Sequence, residues 1–365
     1  MLSASQTLTS RQTNRVIYFD FLRIIAMIAV ITLHTSASNW KATDVHSFSW
    51  NVFNFFDSIV RWGVPVFTMI SGALFLDNKK ELSIKTLYSK NILRLVVAFL
   101  FWSFMYALAT FIYKGGSILS FLAQVIRGNY HMWFLFMLVG LYIITPLLRK
   151  ITANRKDTQY FLIISFVFTF LIPVIFLCLK YADTLFGTDG AMYDLANSVY
   201  KNVNFHFAIG YSFYFVLGYY LSMSDISKKM ERVIYIFGFL GFASTILLTR
   251  GLSYYMNSPQ GTFYNNLTIN VMLESIAVFT LAKCKIAKAV KSERQISFIR
   301  KLSKYSFGIY LVHAGFLTVF SKLGLTTLSF NPIFSVIAIV VIAFFLSLLV
   351  SAILNKIPFA KKYLV

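Results

Sequence analysis

The feature that most constrains this chain is a succession of apolar segments, each about long enough to cross a bilayer, separated by short basic loops. A hydrocarbon core of ~30 Å needs roughly 20 apolar residues per helix. Ten segments approximate that length, near 16–37, 51–76, 92–113, 130–148, 159–179, 205–221, 233–249, 264–280, 303–320 and 332–355. The expected fold class is all-α, a polytopic membrane protein with about ten transmembrane helices. The longest loops lie around 180–204 and 281–302. With no internal repeat and no low-complexity stretch, residues 1–365 read as a single membrane-embedded domain.

Composition agrees: 58% of the residues are hydrophobic and 13% charged, where a soluble domain carries about 25% charged residues. Lys and Arg number 34 against 13 Asp and Glu, a formal charge of +21. On a soluble chain that excess would suggest nucleic acid. Here the basic residues sit in loops, where they act as topology signals, and no nucleic-acid partner is expected. Alternate loops hold 23 basic residues on one side and 7 on the other. That split places both termini in the cytoplasm, and a count of nine or eleven helices would destroy it. The first apolar run has small residues after it at Ser36, Ala37 and Ser38, like a signal peptide, but Asp20 and Arg23 within it favour a permanent helix. In this topology Cys178 and Cys284 fall on opposite sides and form no disulfide, and no Cys or His cluster has metal-ligand spacing.

Ionisable side chains inside a span cost roughly 2.5–3.5 kcal/mol each and persist when paired or when they line a polar cavity. The first segment carries Asp20, Arg23 and His34. Arg23 and His34 lie about 20° from the same helix face and about 16 Å apart along the axis. Asp20 joins that stripe as an i,i+3 partner of Arg23. A purely structural Asp20–Arg23 pair is the competing reading. In the second segment Arg61 lies toward the outer end, four residues after Asp57, and Ser71-Gly72 toward the inner end. Pro65 is expected to kink this helix, and Gly72 to admit a close backbone or a thin ligand. Arg94 in the third segment reads equally as a ligand contact or a headgroup contact. His131 and Trp133, just after Arg127, read as an interfacial belt or as a sugar platform. His313 and Glu274 lie deep, Glu274 without an identified partner, while His46 and His206 look peripheral. Arg23, Ser71 and Arg94 thus fall toward the inside. His34, Arg61, Arg127, His131 and Arg250 fall toward the outside.

Tyr18-Phe19-Asp20-Phe21-Leu22-Arg23, followed by ten residues and His34, resembles the signature of the acyltransferase 3 family. Val64-Pro65-Val66-Phe67-Thr68-Met69-Ile70-Ser71-Gly72 resembles its second-helix motif. The stretch His131 to Pro146, with Thr249-Arg250-Gly251 and Ser306-Phe307-Gly308-Ile309-Tyr310, is most similar to the branch that O-acetylates enterobacterial common antigen at the inner membrane. The resemblance implies an acyltransferase of the bacterial inner membrane that moves acetyl from cytosolic acetyl-CoA to a hydroxyl of a surface glycan or lipid-linked sugar. Acetyl-CoA would be a co-substrate, and no permanently bound cofactor or metal is expected.

The family's catalytic arginine and histidine carry over to Arg23 and His34. Its Ser-Gly carries over to Ser71 and Gly72, and its third-helix arginine to Arg94. Glu274 matches no family motif. On this reading His34 is the general base, or a covalent carrier of the acetyl group. Arg94, Ser71, Gly72 and Asp20 attend the donor. Arg61, Arg127, His131, Trp133 and Arg250 attend the acceptor, with His313 and Glu274 in support. A transporter or flippase without chemistry, and a succinyl-transferring relative, are the alternatives.

Overall fold

The computed structural model describes residues 16–187, 190–201 and 209–365, and every regular element among them is helical. His206 lies outside the described residues. In lipid no water can satisfy a backbone N–H or C=O, so apolar spans close their hydrogen bonds internally as helices. Numbering the α-helices of six or more residues gives α1 (Ile17–Trp40), α2 (Phe48–Ser58), α3 (Gly63–Phe75) and α4 (Leu93–Lys114). There follow α5 (Ile118–Arg127), α6 (Trp133–Thr152), α7 (Arg155–Phe166), α8 (Ile172–Phe186) and α9 (Ala191–Lys201). Then come α10 (Tyr211–Met223), α11 (Lys228–Tyr255), α12 (Ile269–Leu281) and α13 (Glu293–Lys304). The series ends with α14 (Ser306–Lys322), α15 (Pro332–Leu354) and α16 (Pro358–Tyr363). Wide π-type turns at Leu87–Ile92, Val167–Leu171 and Ala282–Ile286 extend α4, α7 and α12 without breaking them.

Among the described residues, eight helical stretches are long and apolar enough to cross a membrane, which makes this a multi-pass membrane protein. One expected span is shorter than anticipated: the segment near 205–221 is helical as α10, of 13 residues, among the described residues, while the segment near 303–320 keeps its expected length as α14, of 17. At 1.5 Å per residue α10 reaches only about 20 Å. Its neighbours are protein rather than lipid: Phe213, Tyr214, Phe215 and Val216 are all buried. Backbone that stops short at membrane depth is tolerated when protein surrounds it.

The second expected helix is interrupted within one crossing stretch, Phe48–Phe75. Between α2 and α3 the chain turns at residues 59–62, and Pro65 occupies the first turn of α3. Proline lacks an N–H and clashes with the carbonyl four residues earlier, so the helix restarts where that bond is not required. In the expected loop 114–129 lies α5, capped by Ser117, whose Oγ accepts from Ser120 N, and ended by Gly128 at φ 73°. Glycine takes that conformation at no steric cost.

α1 is the centre of the bundle, packed against α2, α3, α13, α14 and α15. α3 and α10 meet backbone to backbone. A Cβ on Gly72 would overlap the main chain of Phe215, and one on Gly218 would overlap that of Met69. The face of Gly72 that might have admitted a ligand is therefore filled by α10. Close approach through small residues is how helices associate without a hydrophobic drive between them.

Candidate active site

Three histidines from three elements converge at one end of α1. His34 lies on α1, His131 in the short 3₁₀ turn Tyr130–Met132 that opens α6, and His313 on α14. The His34 and His313 rings stack, with centroids 5.4 Å apart and planes at 23°. His131 meets His313 edge to face at 5.2 Å and His34 at 6.5 Å. His34 is half-buried, while His131 and His313 are buried.

Tyrosines fix this arrangement. Tyr310 donates its hydroxyl to the His131 carbonyl at 2.6 Å, and Tyr106 on α4 donates to the Leu311 carbonyl at 2.7 Å. Tyr130 packs against both His34 and His131, at 5.0 and 5.5 Å. His313 Nδ1 lies 2.6 Å from the Tyr310 carbonyl, so Nδ1 carries the proton and Nε2 presents a lone pair. Nε2 of His313 is buried without a hydrogen-bond partner, and the His131 ring is buried beside the Leu311 main chain. Buried polar atoms are ordinarily satisfied, so such an exception calls for an explanation. Among the described residues no His, Cys, Asp or Glu group is arranged to hold a metal ion.

His34 also borders a small open pocket of about 70 Å³ between α1, α14, α15 and the 323–331 loop.

At the other end of α1, Arg23 Nη1 contacts Asp20 Oδ1 at 3.2 Å, and Ser303 on α13 donates to the same oxygen at 2.8 Å. Asp20 is fully buried, whereas the Arg23 side chain is 29% exposed. Ser303 and His313 belong to the consecutive helices α13 and α14, both of which pack against α1. Tyr142 on α6 stands beside Ser71 and within electrostatic reach of Arg23 and Arg94, which brings these donor-side candidates into one region. Ser71 itself donates back to the Phe67 carbonyl at 3.0 Å. Arg94 donates from Nη2 to the main-chain oxygen of Val365 at 2.5 Å and lies over the Phe307 ring at 5.1 Å. Trp102 Nε1 donates to the Leu364 carbonyl at 3.0 Å, so residues 358–365 are tied along α4.

The residues expected on the acceptor side do not form one site. Arg61 is held by Asp57 at 2.5 Å and by the Tyr264 carbonyl at 3.2 Å, with its guanidinium 4.0 Å above the Tyr264 ring. It remains within electrostatic reach of His34. Arg250 is exposed and lies 5.0 Å over Tyr254, and Arg127 is exposed at the end of α5. Trp133 is 40% exposed and tilted against Tyr211 at 5.6 Å. Only His131 of this group touches His34. The hydrogen-bond partner of Glu274 is Thr245 on α11, which donates to its Oε1 at 2.5 Å. Asn270 donates to Thr245 in turn at 2.8 Å, and Arg61 lies within electrostatic reach of the carboxyl. His46 is peripheral, 3.1 Å from Asn257. Tyr106 and Tyr130 were not singled out from sequence, and Tyr310 entered only as part of the Ser306–Tyr310 motif. The Tyr310-x-x-His313 spacing, which puts both on one helix face, was the available signal.

The comparisons with known proteins agree with the motifs. Two Staphylococcus aureus proteins, from strains Mu50 and MSSA476, are each 21% identical to this chain over 301 residues, 80% of it and 79% of theirs. Each is described as a probable poly-beta-1,6-N-acetyl-D-glucosamine export protein. No solved structure matches the chain. The family model described as an acyltransferase domain matches residues 16–356, and the chain is accordingly a member of the acyltransferase 3 family.

Proposed function

We propose that this protein is an O-acetyltransferase of a bacterial inner membrane, moving acetyl from cytosolic acetyl-CoA to a hydroxyl of a surface polysaccharide or its lipid-linked precursor. The observation that carries this reading is His34, half-buried, open to a pocket on one side and backed by the stacked His313 ring on the other. A sugar hydroxyl attacks a thioester poorly unless a base takes its proton as the bond forms. A positioned histidine supplies ~10²–10⁴-fold. In the direct version the sugar oxygen bonds to the acetyl carbonyl carbon, the hydroxyl proton passes to His34, and the C–S bond breaks to release the CoA thiolate. The thiolate then takes that proton from His34. In the two-step version a ring nitrogen of His34 first takes the acetyl group and the thiolate leaves. The sugar then displaces the imidazole.

Arg23 and Arg94 are the donor-side cations in this scheme. They bind pyrophosphate or stabilise the thioester oxygen. Both termini are cytoplasmic in this reading, following the basic-residue bias of the loops. The basic segments 77–91 and 281–302 then face the anionic donor.

The names of the relatives favour a second reading, export of a polysaccharide without acyl transfer. They also suggest a glycan rich in N-acetylglucosamine as the acceptor or cargo. Purified protein in liposomes separates the two readings. Acetyl-CoA turnover, accelerated by a sugar acceptor, supports the enzyme. Sugar movement with no thioester cleavage supports the exporter, and succinyl-CoA in place of acetyl-CoA tests the acyl group.

A further inference from the structure

We propose that Tyr106 is a positioning residue of the histidine site: its hydroxyl is inserted in the hydrogen-bond ladder of α14 and sets where that helix presents His313 to His34. The inference rests on the acyltransferase reading for its kinetic test, while the geometry stands apart from it.

In an α-helix each N–H donates to the carbonyl four residues earlier, so Gly315 N and the Leu311 carbonyl form one rung of α14. The Tyr106 hydroxyl addresses both ends of that rung. It donates to the Leu311 carbonyl at 2.7 Å and accepts from Gly315 N at 3.1 Å. The tyrosine ring lies close against α14 at this point, since a Cβ added to Gly315 would stand 3.5 Å from Cε1 and from Oη of Tyr106. A side chain that enters a helical ladder bends the helix there. His313 lies midway between the two groups, and its ring stacks on His34 at 5.4 Å.

The same tyrosine reaches the third histidine. Its ring meets His131 edge to face at 5.6 Å, and the Leu311 carbonyl that takes its proton belongs to the main chain beside the His131 ring. A tyrosine that only needed a partner for its own hydroxyl could use any free acceptor. This one engages two groups that a helix already pairs with each other. Removing the hydroxyl therefore orphans neither, because the Leu311 carbonyl and the Gly315 N–H can close their own bond. Closing it straightens the rung and carries His313 with it.

The test compares wild type, Tyr106→Phe, His313→Phe and the double variant, all full-length and at matched membrane expression. Tyr106→Phe is expected to keep its thermal midpoint in detergent and its KM, while kcat for acetyl-CoA turnover falls about tenfold or more. In the His313→Phe background the same substitution should cost no more than about twofold, because a residue that acts through His313 has nothing left to position. A second arm needs no activity. Diethyl pyrocarbonate, with products mapped by mass spectrometry, should modify His34 about threefold faster in Tyr106→Phe, the stacked ring being displaced, with the peripheral His46 unchanged as reference. A large drop in midpoint for Tyr106→Phe, an unchanged kcat, full additivity with His313→Phe, or an unchanged His34 rate would overturn the proposal. Wild type that never cleaves acetyl-CoA would defeat the acyltransferase reading, and the His34 rate alone would then decide for or against Tyr106.

Discussion

His34 on α1 and His313 on α14 stack ring to ring at 5.4 Å, and the Tyr310 carbonyl fixes the proton of His313 on Nδ1. The buried Nε2 lone pair of His313 is therefore part of the surroundings of the ring that borders the pocket. Replacing His313 by Phe keeps a flat ring in the stack but deletes that lone pair. The expected result is a fall of about tenfold or more in kcat with an unchanged KM for acetyl-CoA, at matched membrane expression. Equal activity would reduce His313 to packing.

His34→Ala and His34→Gln should be equally inactive. Glutamine keeps hydrogen-bonding reach but can neither take the proton nor carry acetyl, so the loss should reach ~10²–10⁴-fold. Acetyl-CoA binding should persist, because Arg23 and Arg94 lie toward the other end of the bundle. Mass spectrometry of sugar acetylation measures this, and a brief incubation with labelled acetyl-CoA and no acceptor separates base from carrier. Near-normal acetylation by His34→Ala would return the export reading to first place.

Arg23 and Asp20 should part company when mutated. Asp20 is fully buried and accepts from Ser303 as well as Arg23, so Asp20→Asn should cost chiefly folded protein, by roughly 1–3 kcal/mol. Arg23 is partly exposed, and Arg23→Ala should raise the Kd for acetyl-CoA about tenfold with yield preserved. If Arg23→Ala instead loses protein at unchanged donor affinity, the pair is structural only.

Gly72→Ala and Gly218→Ala should each be severe for packing rather than for chemistry. A methyl group at either position meets the main chain of the opposing helix, which cannot rotate away. Overpacking commonly costs about 1–3 kcal/mol, and backbone overlap belongs at or above the top of that range. Thermal stability in detergent reads this directly, and an unchanged midpoint would contradict the α3–α10 contact.

Reporter fusions after Val365 and within 291–294 should read cytoplasmic, and one at Lys41 should read external. An external reading after Val365 would remove the orientation inferred from loop charge.

Most of the architecture was legible because its causes are local. Apolar length marked the spans, and the Arg23-x10-His34 and Asp57–Arg61 spacings placed charges on shared helix faces. The break before Pro65 was missed because a proline limits a helix without saying whether it bends or restarts. The length of α10 was overstated because protein neighbours, invisible in a hydropathy pattern, excuse a helix from spanning. The tyrosines around the histidines were lost among the 21 of the chain, most of which pattern alone cannot tell from interfacial anchors. The pairing of Arg94 with Val365, 271 positions apart, has no local signature.

That last contact bears on the order of biosynthesis. Arg94 and Trp102 enter the membrane early, with their N–H groups directed at acceptors that the ribosome makes only after more than two hundred further residues. Until residues 364 and 365 arrive, α4 holds an unmatched guanidinium and an unmatched indole in or beside the lipid. A chain that stalls before residue 364 is made should therefore insert most of the helices before it and still present quality-control proteases with an open seam along α4.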